Sequence, residues 1–373
     1  MRSLHIHAYP DIFGGTGGDG GIPAASTILE TRMRSFICLS ACLALAVVTG
    51  CLYRPIASGP PIVKRSQMLM GTLVFVTAVA EDVPTAQRAA EAALKEIRRL
   101  EELLSTWIPT SELSRLNDAA GQQSVKISLD TMQVLKRSLE VARLTEGGFN
   151  IAVGPAVQAW SVTEQSSIPS EEQLRRLLPL IDLSALQLDE TMGTAYLTRV
   201  GMRVDVGGIG KGFAADRAAE AMRAAGATAG AVALSGDIKT FGRMPDGEAF
   251  LFGIQDPRNE SALLATIELH DEAISTAGDY ERFFERDGVR YHHILDPRTL
   301  QPARECQSVT VIAKDGVMAD GLDTGIFVMG PTRGMELVER LQDVEAVIVD
   351  RDGSILVSSG LKSRLQFTDA TNK

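Results

Sequence analysis

Three short stretches hold the residues best equipped for chemistry. In the first, Val204-Asp205-Val206 runs into Gly207-Gly208-Ile209-Gly210-Lys211-Gly212 and then an apolar stretch from Phe213. A glycine-dense turn ahead of a helix offers free backbone N–H groups and a positive dipole end to a phosphate, and Lys211 adds a full charge. The P-loop and dinucleotide-binding spacings both fail here, and by itself the turn reads more readily as an ordinary tight turn. In the second stretch, Asp320 and Thr324 stand four apart, so a helix would put a carboxylate and a hydroxyl on one face, a hard-oxygen pair suited to Mg²⁺. Spacing alone favours the plainer role of Asp320 as a helix N-cap before the apolar run 326–329. The third holds His292 and His293, which on a strand face opposite ways and so do not form a two-histidine metal site. One of them suits a general base, or simply a hydrogen bond to a loop. No His/Cys cluster has the spacing of a zinc site.

The elements that must position these residues follow from periodicity. A β-rich segment over 68–80 predicts a first core strand. Apolar positions Ala89, Ala92, Ala93, Ile97, Leu100 and Leu104 recur at helical spacing and predict a helix over 84–104. A short polar helix or turn covers 111–117, and further helical stretches cover 129–145 (stopped by Gly147 and Gly148) and 170–178. A hairpin over 186–189 and 195–198 precedes a strand over 203–206 and a helix over 213–225. Strands are then expected over 230–234, 251–254, 263–269, 309–313, 344–349 and 355–357, with one helix over 334–341. Helices early and a mixed sheet later predict an α+β fold in a single domain over 66–368.

The chain has 373 residues, a net charge of −10 and 45% hydrophobic residues, a globular balance without the basic footprint that gripping nucleic acid requires. Residues 36–48 form an apolar run of 13, too short for the roughly 20 residues of a membrane-spanning helix. Preceded by Arg32 and Arg34 and followed by Thr49-Gly50-Cys51, it resembles a lipoprotein signal over 33–50, with Cys51 as the lipidated first mature residue. Residues 1–32 then read as a non-native extension upstream of a start at Met33, and 51–65, with Pro55, Pro60 and Pro61, as a tether. Such a mature chain keeps Cys306 as its one unmodified cysteine, which excludes an internal disulfide.

Taken in order, the fragments resemble the ApbE family of FAD:protein FMN transferases. They are Met70-Gly71-Thr72, Ser105-Thr106-Trp107 with Ser111 to Asn117, and Gly148-Phe149-Asn150 with Gly154-Pro155 and Trp160. The 204–212 turn, Ser235-Gly236-Asp237, 275–280, 293–299 and 320–324 complete them. The resemblance implies that Met70, Trp107, Gly148, Phe149, Asn150, Asp205, Lys211 and Ile294 line an FAD site. It implies Mg²⁺ held by Asp320, Thr324 and the Gly208 carbonyl, joined by Asp323, with Asp320 and His293 as the catalytic pair and His293 as base. The implied reaction moves FMN from FAD to a Thr or Ser hydroxyl of an acceptor protein and releases AMP. The acceptors would be membrane redox complexes, with the enzyme lipid-anchored to the inner membrane of a bacterial cell envelope and facing the periplasm. FAD hydrolysis to FMN and AMP, or FAD binding without transfer, are the rival readings. Asn150 replaces the usual Asp, Ser235 the first of two glycines, and Gly208 the usual Ala, Ser or Thr.

Overall fold

Strands β1 (Ile62–Leu69) and β2 (Thr72–Val79) open the chain as an antiparallel hairpin, so the single strand expected over 68–80 is two. Both residues of the turn between them, Met70 and Gly71, have positive φ, as a two-residue turn that follows the strand twist requires. A methionine there is strained, and a bond from its N–H to Glu101 Oε1 at 2.7 Å helps to hold it. The computed structural model describes residues 59–368. Cys51, the signal segment and the upstream extension lie outside the described residues. Residues 62–65, read above as the end of a tether, belong to β1.

Helix α1 (Val83–Leu104) starts where Asp82 accepts the Thr85 N–H at 2.7 Å, and it buries the alanine and leucine stripe that marked it in sequence. There follow α2 (Glu112–Asp118), β3 (Val125–Lys126), α3 (Leu129–Leu144), α4 (Gly154–Trp160) and α5 (Glu171–Leu177). Next come β4 (Leu186–Asp189), β5 (Thr194–Leu197) and α6 (Gly210–Ala224), the last beginning three residues before its expected start. The strand expected over 203–206 is absent. There the Asn117 side chain takes a strand's place, its Oδ1 accepting the Val204 N–H at 2.7 Å while its Nδ2 donates to the Val204 carbonyl at 2.9 Å.

The remaining elements are β6 (Ala229–Leu234), β7 (Asp237–Phe241), β8 (Phe250–Asp256), β9 (Asn259–Leu269) and β10 (Ala273–Gly278). Then follow β11 (Phe283–Arg286), β12 (Val289–His292), β13 (Cys306–Ala313), α7 (Gly316–Met329) and α8 (Pro331–Val338). Strands β14 (Val344–Asp350), β15 (Ile355–Val357) and β16 (Gln366–Phe367) end the described chain.

Eight strands form the central sheet in the order β1-β2-β6-β7-β10-β13-β14-β15. The α+β class expected from the sequence holds, and every strand pairing among the described residues is antiparallel. Alternate residues of β13 show why no polar face marks this sheet. Val309 and Val311 enter the main core with α1, α6 and α7, whereas Ile312 joins Ile274, Val347 and Val349 under Ile254, Ile267 and Leu269 of the small β8–β9 sheet. A sheet buried on both faces loses the apolar/polar alternation of a half-exposed one. Cys306 is a buried free thiol, its pKa pushed up to about 12 by burial.

Candidate active site

Helices α6 and α7 meet at glycine. A Cβ on Gly212 would lie 2.1 Å from the Gly316 carbonyl oxygen, so the two backbones pass at a distance no other residue allows. This approach lets Asp320 Oδ2 accept the Gly212 N–H, in the first turn of α6, at 2.8 Å. Asp320 is therefore inside α7 and not its N-cap, a position held by Asp315. Helical spacing carries Asp320, Asp323 and Thr324 on one side of α7. The Thr324 hydroxyl sits 2.9 Å from where a Gly208 Cβ would be, which places the 207–210 turn directly against it.

Two strands complete the cluster. Asp237 opens β7 and Ser275 lies in β10. The Ser275 hydroxyl is within hydrogen-bond reach of Asp237 Oδ1, and of Asp323 Oδ2 at 2.6 Å, so its single proton serves one carboxylate at a time. Lys211 pairs with the other oxygen of Asp237. One oxygen each from Asp237, Asp320 and Asp323 falls within 4.8 Å of the others, and the three residues are only 2%, 3% and 2% exposed. Burial, then the neighbouring Asp320 charge, pushes the Asp323 carboxyl well above its ordinary range. Burial raises Asp320 too, opposed by Lys211 and by the α6 N–H groups. Asp323 Oδ1 has no hydrogen-bond partner, although it is buried.

Three crowded carboxylates with an unpartnered buried oxygen fit a divalent cation, because an all-oxygen set is what a hard ion such as Mg²⁺ takes. Asp320, Asp323, Thr324 and Gly208, the set that the family resemblance implied, lie together here. Asp237 and Ser275 were not expected as site residues. The available signals were two fragments of the family resemblance, Ser235-Gly236-Asp237 and 275–280, to which no role was attached.

The residues expected around FAD divide into two groups. Around the start of α6, the Met70 Cε lies 4.0 Å from the Cβ position of Gly210, and Asp205 accepts the Gly207 N–H at 2.7 Å and faces Thr106 Oγ1 at 3.5 Å. Trp107, beside Thr106, is 74% exposed, a large aromatic surface without a covering neighbour. Gly148 backs onto α7, its Cβ position 2.8 Å from the Gly325 carbonyl. Phe149 and Ile294, 3% and 4% exposed, have their side chains in the main core. Asn150 turns its Oδ1 to the Ala152 N–H at 2.8 Å and caps the short 3₁₀ turn Ile151–Val153.

The two histidines separate clearly. His292 is buried, its Nε2 2.7 Å from the Ala303 carbonyl and its ring edge-on to Phe327 of α7 at 5.6 Å, and burial takes its pKa down to about 4. His293 places Nδ1 3.2 Å from the Arg282 carbonyl, so that nitrogen carries the proton and Nε2 keeps a lone pair. Burial, with the charges of Arg282 and Lys211, holds His293 well below the ordinary histidine value and therefore neutral at pH 7.

The ApbE family model matches residues 70–348, three quarters of the chain and every residue of the candidate site. The chain belongs to the ApbE family. It is 31% identical over 306 residues to a Klebsiella pneumoniae protein named FAD:protein FMN transferase, covering 81% of this chain and 93% of that protein. A Treponema pallidum protein of the same name is 32% identical over 327 residues, covering 82% and 89%. Among solved structures, the ApbE protein of Thermotoga maritima matches with a TM-score of 0.77 and 30% identity, covering 82% of this chain and 99% of that one. The flavin transferase ApbE from Vibrio cholerae matches with a TM-score of 0.72 and 28% identity over the same shares. In this ApbE-family chain the acidic cluster, the α6 start and His293 all come from matched residues.

Proposed function

We propose that this chain transfers FMN from FAD to a Thr or Ser hydroxyl of an acceptor protein, releases AMP, and uses Mg²⁺ at the Asp237–Asp320–Asp323 cluster. That it is an enzyme of the FAD:protein FMN transferase kind is supported by membership of the family and by relatives of that name over most of the chain. The observation that carries the rest is the unpartnered Asp323 Oδ1 among three buried carboxylates, immediately beside Lys211 and the first turn of α6. Carboxylates alone would repel a diphosphate, so the cluster makes sense next to a phosphate-binding turn only when a cation lies between them.

Asp320, Asp323 and Asp237 would hold the ion, with Thr324 and the Gly208 carbonyl. Bound there, Mg²⁺ supplies charge neutralisation at the diphosphate and at the departing AMP oxygen. Lys211 offers its ammonium to the same phosphates, and Met70, Trp107 and Asp205 stand at the edge of the turn to orient the flavin. Nε2 of His293 takes the acceptor hydroxyl proton while that oxygen bonds the FMN phosphorus and the phosphorus–oxygen bond to AMP breaks. The apolar run before Thr49-Gly50-Cys51 supports a lipid anchor at Cys51 that places this chemistry at the membrane of a bacterial envelope, towards the periplasm and near membrane redox acceptors.

Incubation with FAD, Mg²⁺ and an acceptor peptide, read by mass, tests the reading. A peptide heavier by FMN, with AMP in equal amount, is the expected result. Free FMN without the adduct would make the chain a hydrolase, and unchanged FAD would leave it a binding protein.

A further inference from the structure

Helices α6 and α7 exchange carboxylates. Asp320 of α7 accepts an N–H from the first turn of α6, and Asp216 of α6 does the reverse. Its Oδ1 accepts the Gly316 N–H at 2.8 Å and its Oδ2 the Val317 N–H at 2.9 Å, both in the first turn of α7. The local N-cap of α7, Asp315, makes no side-chain cap bond and pairs with Arg137 at 3.1 Å instead. The start of α7 is thus fixed by a residue of the helix that carries Lys211, across the Gly212–Gly316 contact.

We propose that Asp216 is a positioning residue for the cation site, setting where α7 presents Asp320, Asp323 and Thr324 to Gly208 and Asp237. This rests on the cation reading above. Asp320 follows Gly316 by one helical turn, so a displacement of that first turn passes directly to the first carboxylate. Mg²⁺ demands near-octahedral ligands at about 2.0–2.1 Å, which makes its affinity sensitive to such displacements. Retaining the carboxylate is costly: burial pushes Asp216 up to about 6, against both N–H bonds and the nearby Lys239 of β7, with Asp315 adding a like charge. Outer groups that orient ligands typically change metal affinity about 10- to 100-fold when removed.

The test is direct Mn²⁺ binding to the full chain, by electron paramagnetic resonance of the free ion, for the unsubstituted protein and Asp216→Asn. Asparagine keeps the shape and one acceptor, so the helices stay paired while one N–H loses its bond. At least tenfold weaker Mn²⁺ binding, with an unchanged circular dichroism spectrum, is expected. A lower melting temperature with unchanged Mn²⁺ affinity would reduce Asp216 to a stabilising cap and overturn the proposal. Failure of the unsubstituted chain to bind Mn²⁺ would remove the cation reading itself, and this proposal with it. A second measurement needs no substitution. Coupling is reciprocal, so Mn²⁺ should slow amide exchange at Gly316 and Val317 about tenfold or more. Exchange there that ignores a bound ion would also overturn the proposal.

Discussion

Removing the imidazole of His293 deletes a proton acceptor but no candidate cation ligand. His293→Ala should therefore lower transfer at saturating FAD and Mg²⁺ by roughly 100- to 10,000-fold while FAD binding stays near normal. Near-normal transfer would end the base role. Because burial, followed by the Arg282 charge, holds His293 well below the ordinary histidine value, its protonation should add no acid limb to the pH–rate profile near neutral pH. Asp323 behaves in the opposite sense. Its raised pKa means that this carboxyl destabilises the metal-free fold at neutral pH, a cost that shrinks as pH falls from the raised value towards the ordinary carboxylate range. Asp323→Asn should then raise the metal-free melting temperature and abolish the stabilisation by Mg²⁺, which at a hundredfold excess over Kd is about 2.7 kcal/mol. Scanning calorimetry with and without Mg²⁺ checks both. Asp320 and Thr324 share a helix face at their spacing of four, but spacing alone favours an N-cap for Asp320, and the family resemblance is needed to read the pair as a site. Asp237 and Ser275 were not legible, since their chemistry arises only when β7 and β10 set them against each other and against α7.

At the scale of elements, glycine contacts decide what can be changed. A Gly212→Ala methyl would strike the Gly316 backbone, which cannot rotate away, so a loss of about 3 kcal/mol or more is expected in denaturant unfolding. Gly71→Ala meets nothing within 4 Å and should lose only about 1–2 kcal/mol, the strain of its positive φ. Helix α1 was readable because one face is alanine and leucine and the other charged. Helix α7 was not, because it is buried nearly all round and has no polar face to reveal a period. Strand β10, Ala-Ile-Ser-Thr-Ala-Gly, hid for the same reason, lying between β7 and β13 in the sheet. The misread strand at 203–206 alternates charged and apolar residues as a strand would, but Asn117 takes both backbone bonds of Val204 and the Ile151 carbonyl takes the Asp205 N–H, so no neighbouring strand is required.

Over the whole molecule, His292 ties the β11–β12 ribbon to the Ala303 carbonyl and to α7. Its pKa near 4, against about 6.5 unfolded, means that the unfolded chain takes the proton first, so this contribution is lost as pH falls from 6.5 to 4, by up to about 3 kcal/mol. Asp216, raised to about 6, acts with the opposite sign, so the informative quantity is a difference. Between pH 6.5 and 4, His292→Gln should lose less stability than the unsubstituted chain in parallel urea titrations. The pairing of β2 with β6 has a kinetic consequence. Val74 and Leu234 are partners about 160 positions apart, and that loop must close before the first hairpin can join the sheet. The candidate ligands Asp237 of β7 and Asp320, Asp323 and Thr324 of α7 are later still in the chain, so a partly made chain that lacks α7 should not capture the ion. Refolding is expected on the scale of about a second or slower, with Mn²⁺ uptake trailing the formation of helix rather than guiding it.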